Sequence, residues 1–581
     1  MLQACRVLVL AFAYCGLIAL PGVSASLVAV RRGLRSVTLT SAIGLSASAA
    51  SAILTFWAYF VWHPLGVVIS FGIPAVTGGT IVWIVIRGRD VSFFLSALVC
   101  APWFLWMLGT VFVLSSGFLY GGEANPIGLA QTRYSHPLPP DNYIPLYFAE
   151  GLFRSPSFHA APAFAEWLSS DRPPLQVGYV VAAMPFGWSA SGIRYQVLAV
   201  ALQQLWIVGA WSLLAAFAVR PRTRALVLVS VLVGDIAIVH GFFVWPKLLP
   251  VGFLLAACGI VFGADWPTSA RRTPTCALLG MLLGAALLCH GASVYAVIPL
   301  VIAAVWRARP SRRSVVAFVL VVGLFQIPWM AYQQFVDPPG NRLQKWMLAG
   351  QVDVSDESLP SAVANAYLHT DFGDIVQLKL DNLEMVTGGI RGVRAMWHAA
   401  RLVLTGDFQQ GIEQARHRRF LHLLPNIGML LLGLVVMAIA SVRRIPRDDA
   451  EWTFALRALT YVAPAIVLWT ILQYGNWPSA TVVHTASFLF PVLAVIGLVA
   501  GTAAVSQRLA TVLVAANCAL VLTLYVPMFD PLRPSTVSPL FAIAGVAAVV
   551  LFGLGAFALP MGGISRESLD ADDASHDLEA T

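Results

Sequence analysis

The chain has 581 residues, 58% of them hydrophobic and 11% charged, and a mean hydropathy of +0.78. Soluble domains carry about a quarter charged residues, so this composition excludes a string of soluble domains and fits a bundle of membrane helices. The net charge of +8 comes mostly from arginines in short clusters between apolar runs, which is the pattern of loops facing anionic headgroups and not of a nucleic-acid surface.

A helix rises about 1.5 Å per residue, so crossing a hydrocarbon core of about 30 Å takes about 20 residues. In chain order, apolar runs near that length lie at 5–29, 37–62, 65–86, 91–117, 196–219, 224–240, 244–263, 275–291, 293–306, 314–334, 421–441, 454–473, 480–502, 509–528 and 537–560. Several are short, so the prediction is an all-α integral membrane protein, a polytopic helix bundle of about 13–15 spans. The first run has a signal-peptide alternative, with Ser24-Ala25-Ser26 as a small-residue site. Its leading segment carries only Arg6, however, and the strong charge cluster follows the apolar run, so an uncleaved first span is preferred. The cysteines, Cys5, Cys15, Cys100, Cys258, Cys276, Cys289 and Cys518, sit in or beside apolar runs with no CxxC pair, and neither a disulfide framework nor structural zinc is expected.

Arginine clusters orient the spans. They fall at Arg31-Arg32-Gly33-Leu34-Arg35, Arg87-Gly88-Arg89, Arg220 to Arg224, Arg271-Arg272, Arg307 to Arg313, Arg443 to Arg447, and Arg508, all on one side of the predicted topology. This puts the N-terminus outside, the C-terminus in the cytoplasm, and two long loops outside, in what composition and short cytoplasmic loops suggest is a bacterial inner membrane. The regions are N-terminal spans 1–90, a membrane core 91–334 with outer loop 118–195, a second outer loop 335–420, C-terminal spans 421–560, and a tail 561–581. Arg416-His417-Arg418-Arg419 is the exception, a basic cluster on the outer side. Leu175–Phe186 is too short to span comfortably and reads as a half-span or re-entrant element. The acidic stretch Ser565–Thr581 reads as a disordered cytoplasmic end.

Loop one is rich in proline and aromatic residues, as in His136-Pro137-Leu138-Pro139-Pro140-Asp141-Asn142-Tyr143. Asp141 after a stiff Pro-Pro pair is either a general base toward an acceptor hydroxyl or a helix N-cap. Asp171-Arg172-Pro173-Pro174-Leu175-Gln176 opens the short apolar segment, and is either a site element or punctuation with a local ion pair. Lys247, in Trp245-Pro246-Lys247, is either a point charge for a lipid-linked phosphate or a snorkelling lysine. Asp235 lies within an apolar run, where acids are costly and face a partner or cavity; His240 reads equally well as an interfacial histidine, and His290 and His484, two lone histidines near outer span ends, read as core or interfacial residues and not as a metal site. Loop two begins Asp337-Pro338-Pro339-Gly340-Asn341-Arg342-Leu343-Gln344-Lys345-Trp346, where Arg342 and Lys345 either hold a phosphate or anchor to headgroups. Further on, Val376, Leu380, Leu383 and Val386 recur at spacings of four, three and three, one face of an amphipathic helix lying on the membrane surface. Nucleotide-binding and hydrolase motifs are absent in any supporting context, so a substrate comes from the membrane or the outer compartment.

Asp141-Asn142-Tyr143 in a large first outer loop, followed by Arg172-Pro173-Pro174-Leu175 opening an apolar helix, resembles the GT-C superfamily of membrane glycosyltransferases, which includes the protein mannosyltransferases and the aminoarabinose transferases of lipid A. Trp245-Pro246-Lys247 and Asp337 to Arg342 add to the likeness, which covers roughly 91–350. The resemblance implies a GT-C-like core and transfer of a sugar from a polyprenyl-phosphate donor to a glycan or lipid acceptor on the outer face. It places Asp141 as general base or metal-linked acid. Lys247, Arg342 and Lys345 fall to the donor phosphate, with Asp171, Arg172 and Tyr143 nearby. Asn142 stands where many relatives have a second acid, so a divalent metal stays open as cofactor, and three or four spans precede the loop where the family usually has one. Membrane lipid is the other expected partner, and nucleic acid is not. The competing readings are a transporter or flippase of lipid-linked glycans, an O-antigen-type polymerase or ligase centred on Arg342, and a membrane scaffold.

Overall fold

In the computed structural model, the described residues are 2–87, 93–134, 138–154, 167–187, 192–419, 422–475, 489–526 and 537–561, with backbone alone for 93–98, 417 and 418. His136-Pro137, His484 and the acidic tail lie outside them. Every described element is a helix. Ten helices are long and apolar enough to cross a membrane: Leu2–Arg31, Val37–Val61, His63–Arg87, Val99–Gly117, Gly192–Ala215, Arg312–Phe335, Leu423–Arg443, Asp449–Leu472, Gln507–Tyr525 and Pro539–Ala558. An eleventh is a pair, Pro221–Leu232 and Asp235–Phe243, bent by 49° at its break. Leu249–Phe262, Thr273–Cys289, Gly291–Arg307 and Leu489–Val505 are shorter apolar helices. Every predicted apolar run therefore has a helical counterpart, and among the described residues ten or eleven of these helices are long enough for full spans, with four shorter apolar helices beside them. The chain is a polytopic helical membrane protein.

The main apolar core runs from Ala4 to Ala556 and takes in the first two helices, with Val67 of the third packed against it, and Leu27, Val30, Ile84 and Val99 form a second, smaller cluster. The first helix continues through Ser24-Ala25-Ser26, where Ser26 Oγ donates to Thr40 O at 2.8 Å. Val37–Val61 packs on Leu175–Ala183, Trp206–Ala215 and Leu249–Phe262, and Ser48 Oγ lies 2.9 Å from Tyr179 OH. Leu175–Ala183 is nine residues long and almost wholly buried; at about 1.5 Å per residue it is too short to cross. On the outside of the bundle, Val76, Val319, Leu324, Ile543 and Leu554 are exposed, an apolar surface suited to lipid.

Without a hydrophobic drive between helices in lipid, small residues let backbones approach. A Cβ on Gly209 would stand 2.0 Å from Gly252 O, and one on Gly252 would stand 2.6 Å from Leu205 O. Backbone cannot yield as a flexible side chain does. Gly209→Leu and Gly252→Leu are each expected to abolish the monodisperse peak in size-exclusion chromatography; a wild-type profile for both would contradict this packing.

The arginine clusters meet at one end. Arg31 and Arg87 flank the Trp83 ring at 4.4 and 6.0 Å. Arg220 Nε donates to Glu451 Oε1 at 3.0 Å, and Arg224 Nη2 donates to Phe557 O and Leu559 O at 2.8 and 2.7 Å. Arg307 donates to Val261 O and Ser311 Oγ to Arg271 O. Thr38 O accepts from Ser212 Oγ, tying the start of the second helix to this end. The two long loops fold together at the other end.

That second end also explains the basic exception. Arg419 Nε and Nη2 donate to Asp235 Oδ1 and Oδ2 at 3.0 and 2.8 Å, and both residues are buried. The acid inside the apolar run and the out-of-place arginine are one ion pair at the bend of the broken helix pair. In loop two, Phe372–Thr387 leaves Val376, Leu380 and Leu383 exposed while Val386 is buried. The next helix, Gly389–Leu404, exposes a second apolar set beyond the predicted stripe, Ile390, Val393, Trp397 and Leu404.

Candidate functional site

Pro139 and Pro140 lead into a short 3-10 turn, Pro140–Tyr143, that delivers Asp141 into the loop end of the bundle. Its carboxylate does not cap a helix. Asp141 Oδ2 accepts from Arg172 Nη2 at 2.8 Å, both residues are buried, and Oδ1 has no hydrogen bond to any described residue. Arg172 is set by the extended Arg172-Pro173 approach to the half-span, and its guanidinium lies 4.5 Å from the Trp167 ring. Arg172 Nε is buried with no acceptor among the described residues.

Lys247 completes the cluster. It is 3% exposed, its ammonium lies 3.1 Å from the centre of the Trp245 ring, and Nζ has no hydrogen-bond acceptor among the described residues. Burial first, and then the charge of Arg172, hold its pKa well below the ordinary lysine value, with Asp141 opposing. His290 feels the same neighbours: burial, then Lys247 and Arg172, push its pKa well down, and its Nδ1 accepts from Ala292 N at 3.1 Å. A guanidinium and a buried amine thus lie near one carboxylate. Buried donors without acceptors are costly, and the two unmatched donors, Arg172 Nε and Lys247 Nζ, suit an anion.

A polar framework holds Lys247 in place. Gln203 Oε1 accepts from Leu248 N and Leu249 N, both at 3.1 Å, and Gln203 Nε2 donates to Gln176 Oε1 at 3.2 Å. Gln176 Nε2 in turn donates to Val244 O at 3.3 Å and Tyr195 OH at 3.1 Å. Val244, a β-branched residue, takes φ +58°, a strained conformation of the kind that clusters at functional sites. Tyr195 OH donates to Asn142 O at 2.6 Å, so the amides that seat Lys247 also seat the turn bearing Asp141.

Loop two clamps the other side. Asp337 Oδ2 accepts from Ser169 Oγ at 2.6 Å and Ser170 N at 2.8 Å, and Tyr332 OH lies 2.6 Å from Ser169 Oγ. Arg342 Nη1 donates to Asp171 Oδ2 at 3.2 Å and Nε donates to Val352 O at 2.9 Å. Arg342 lies 4.9 Å from the same Trp167 ring that Arg172 covers. Burial raises the Asp171 pKa, against the hydrogen bond from Leu168 N and the charges of Arg342 and Arg172.

The predicted site residues separate. Asp141, Arg172 and Lys247 converge, with His290 beside them; Asp171 and Arg342 form an adjoining pair. The Lys345 ammonium donates to Ser355 O, Ser355 Oγ and Glu357 O at 2.5, 2.8 and 3.2 Å, because the chain turns back over Lys345 and supplies three acceptors. Tyr143 is half-buried beside Tyr147. Asp235 belongs to the Arg419 pair, and His240 is buried in Asp235–Phe243. Trp167, Gln203 and Tyr195 are not among the predicted candidates, and Gln176 stands there only as the end of the stretch 171–176. For Gln203 a signal exists in the sequence, since an amide inside an apolar run needs a partner.

Asn142 Oδ1 accepts from Gln131 Nε2 at 3.0 Å, and its Nδ2 donates to Ile127 O at 3.4 Å. Among the described residues no three His, Cys, Asp or Glu side chains converge. Among the described residues, the donor set around Asp141, one carboxylate with a guanidinium and an amine, fits an anion better than a divalent metal ion. The chain matches no family model, and no curated protein or solved structure is significantly similar to it.

Proposed function

We propose that this protein is a membrane glycosyltransferase of GT-C type, moving a sugar from a polyprenyl-phosphate donor to an acceptor hydroxyl. The observation that carries the reading is the buried trio Asp141, Arg172 and Lys247, in which Arg172 Nε and Lys247 Nζ lack acceptors among the described residues. The positive-inside rule puts the arginine-rich end in the cytoplasm and the trio on the outer face, in a bacterial inner membrane.

In this reading Lys247 and Arg172 take the donor phosphate. Asp141 Oδ1 accepts the proton of the acceptor hydroxyl as its oxygen bonds to the anomeric carbon. The bond from that carbon to the phosphate oxygen breaks, and its electron pair leaves on the polyprenyl phosphate between the two cations. Arg342 and Asp171 position Trp167 and Arg172. The experiment is incubation of purified protein in lipid with radiolabelled polyprenyl-phosphate sugars. Label reaching an acceptor, or sugar released by slow hydrolysis, supports the reading; saturable donor binding without turnover refutes it.

That second outcome would favour a carrier of lipid-linked glycans. The bend of 49° in the pair Pro221–Leu232 and Asp235–Phe243, with a buried acid at the break, is the kind of discontinuous helix that transporters use.

The Lys247 environment has its own consequence. Burial and Arg172 depress its pKa, and a bound phosphate raises it, so binding takes up a proton at pH values between the two. Donor affinity is therefore expected to fall as pH rises through that window, by up to about tenfold per pH unit. Binding titrations across pH check this; Lys247→Met should flatten the slope, and an unchanged slope in that variant would exclude Lys247 as the proton acceptor.

A further inference from the structure

At the arginine-rich end, away from the site above, an open cleft of about 400 Å³ lies where Pro221–Leu232, Gln507–Tyr525 and Pro539–Ala558 meet. Arg222, Arg508 and Gln507 form its polar mouth, and Leu226, Val229 and Phe557 form an apolar wall. The neighbouring arginines are committed, Arg220 to Glu451 and Arg224 to the carbonyls of Ala556, Phe557 and Leu559. Arg222 and Arg508 instead meet no carboxylate or other acceptor among the described residues. Gln507 Oε1 accepts from Thr223 Oγ1 at 3.2 Å, while its Nε2 is buried with no acceptor among those residues. Two of the three helices also begin here, with their positive dipole ends at the mouth.

Unmatched cations above an apolar wall call for an amphiphile with an anionic head. We propose that this cleft binds the phosphate headgroup of an anionic membrane lipid, with Arg222 and Arg508 on the phosphate, the Gln507 amide as a further donor, and an acyl chain along Leu226, Val229 and Phe557. Basic recesses between spans on the cytoplasmic side suit such headgroups. The inference is independent of sugar transfer.

The test is native mass spectrometry of the full chain released from nanodiscs of phosphatidylcholine and phosphatidylglycerol. Wild type is expected to retain phosphatidylglycerol selectively. R222A/R508A is expected to lose that retention by about 30-fold, the effect of two surface cations, while R222K/R508K keeps most of it. Both variants leave the Arg224 contacts intact, so the monodisperse profile should persist. Equal retention in R222A/R508A would overturn the proposal. Displacement by millimolar inorganic phosphate would overturn it too, by assigning the site to soluble phosphate. The tail 562–581 carries six acids, Glu567, Asp570, Asp572, Asp573, Asp577 and Glu579. Lipid binding that emerges only after its removal would name the tail as occupant and end the lipid assignment.

Discussion

Asp141→Asn is expected to lower sugar transfer by about 10²–10⁴-fold, the usual contribution of a positioned general base, while leaving the protein folded. Asn keeps an oxygen for Arg172 Nη2, now 2.8 Å from Asp141 Oδ2, so the guanidinium is not left without an acceptor. What the amide cannot do is accept a proton at the position of Oδ1. Donor binding is expected to persist or tighten, because a negative charge beside Lys247 and Arg172 has gone and the incoming phosphate meets less repulsion. Transfer rate and donor affinity, measured together, separate this from a structural role. Wild-type transfer by Asp141→Asn would remove Asp141 from the chemistry. Loss of donor affinity and of thermal stability together would make it only a partner for Arg172.

The largest expected effect on stability is at the other buried pair. Arg419→Ala leaves the Asp235 carboxylate, 0% exposed, with no counter-charge, and removing one partner of a buried pair costs about 3–5 kcal/mol. The end of loop two should loosen as well, since Arg419 also donates to Asn426 O at 3.3 Å and packs under Gly428, where a Cβ would stand 2.7 Å from its guanidinium. Replacing both partners by apolar residues removes the uncompensated charge, so Asp235→Leu with Arg419→Met is expected to recover most of the loss. Thermal unfolding in detergent of the single and double variants reads this directly. A double variant no more stable than Arg419→Ala would mean that Asp235 is held by something other than this pair.

Several elements are legible in the amino-acid order alone. The runs near 37–62, 314–334 and 537–560 are helices Val37–Val61, Arg312–Phe335 and Pro539–Ala558, because twenty or so apolar residues in lipid must satisfy their own backbone. The apolar stretch from Leu175 is visibly too short to span, and its helix is nine residues long. The predicted runs that fall short of full spans among the described residues are the short ones, Leu249–Phe262, Thr273–Cys289, Gly291–Arg307 and Leu489–Val505, while in run 224–240 an acid and a glycine, Asp235 and Gly234, mark the break but do not announce its angle. Asp141, Arg172 and Lys247 each stand out by residue type beside a proline or an aromatic ring. Their grouping is not legible, since Arg172 lies 31 residues from Asp141 and no local pattern reports that distance.

Helical character, the one-sidedness of the arginines and the cost of an acid such as Asp235 follow from composition along the chain, because each depends on local propensity or on transfer between water and lipid. Pairing does not. Arg419 stands 184 residues from Asp235, and by its sequence position it is only an outlier to the charge rule. Lys345 looks available until Ser355 and Glu357 fold back upon it, and Lys247 looks like a snorkelling lysine until burial leaves its ammonium without an acceptor among the described residues. Which buried charge finds a partner, and which does not, depends on how the loops meet in space, and that is set by packing between segments far apart in the chain.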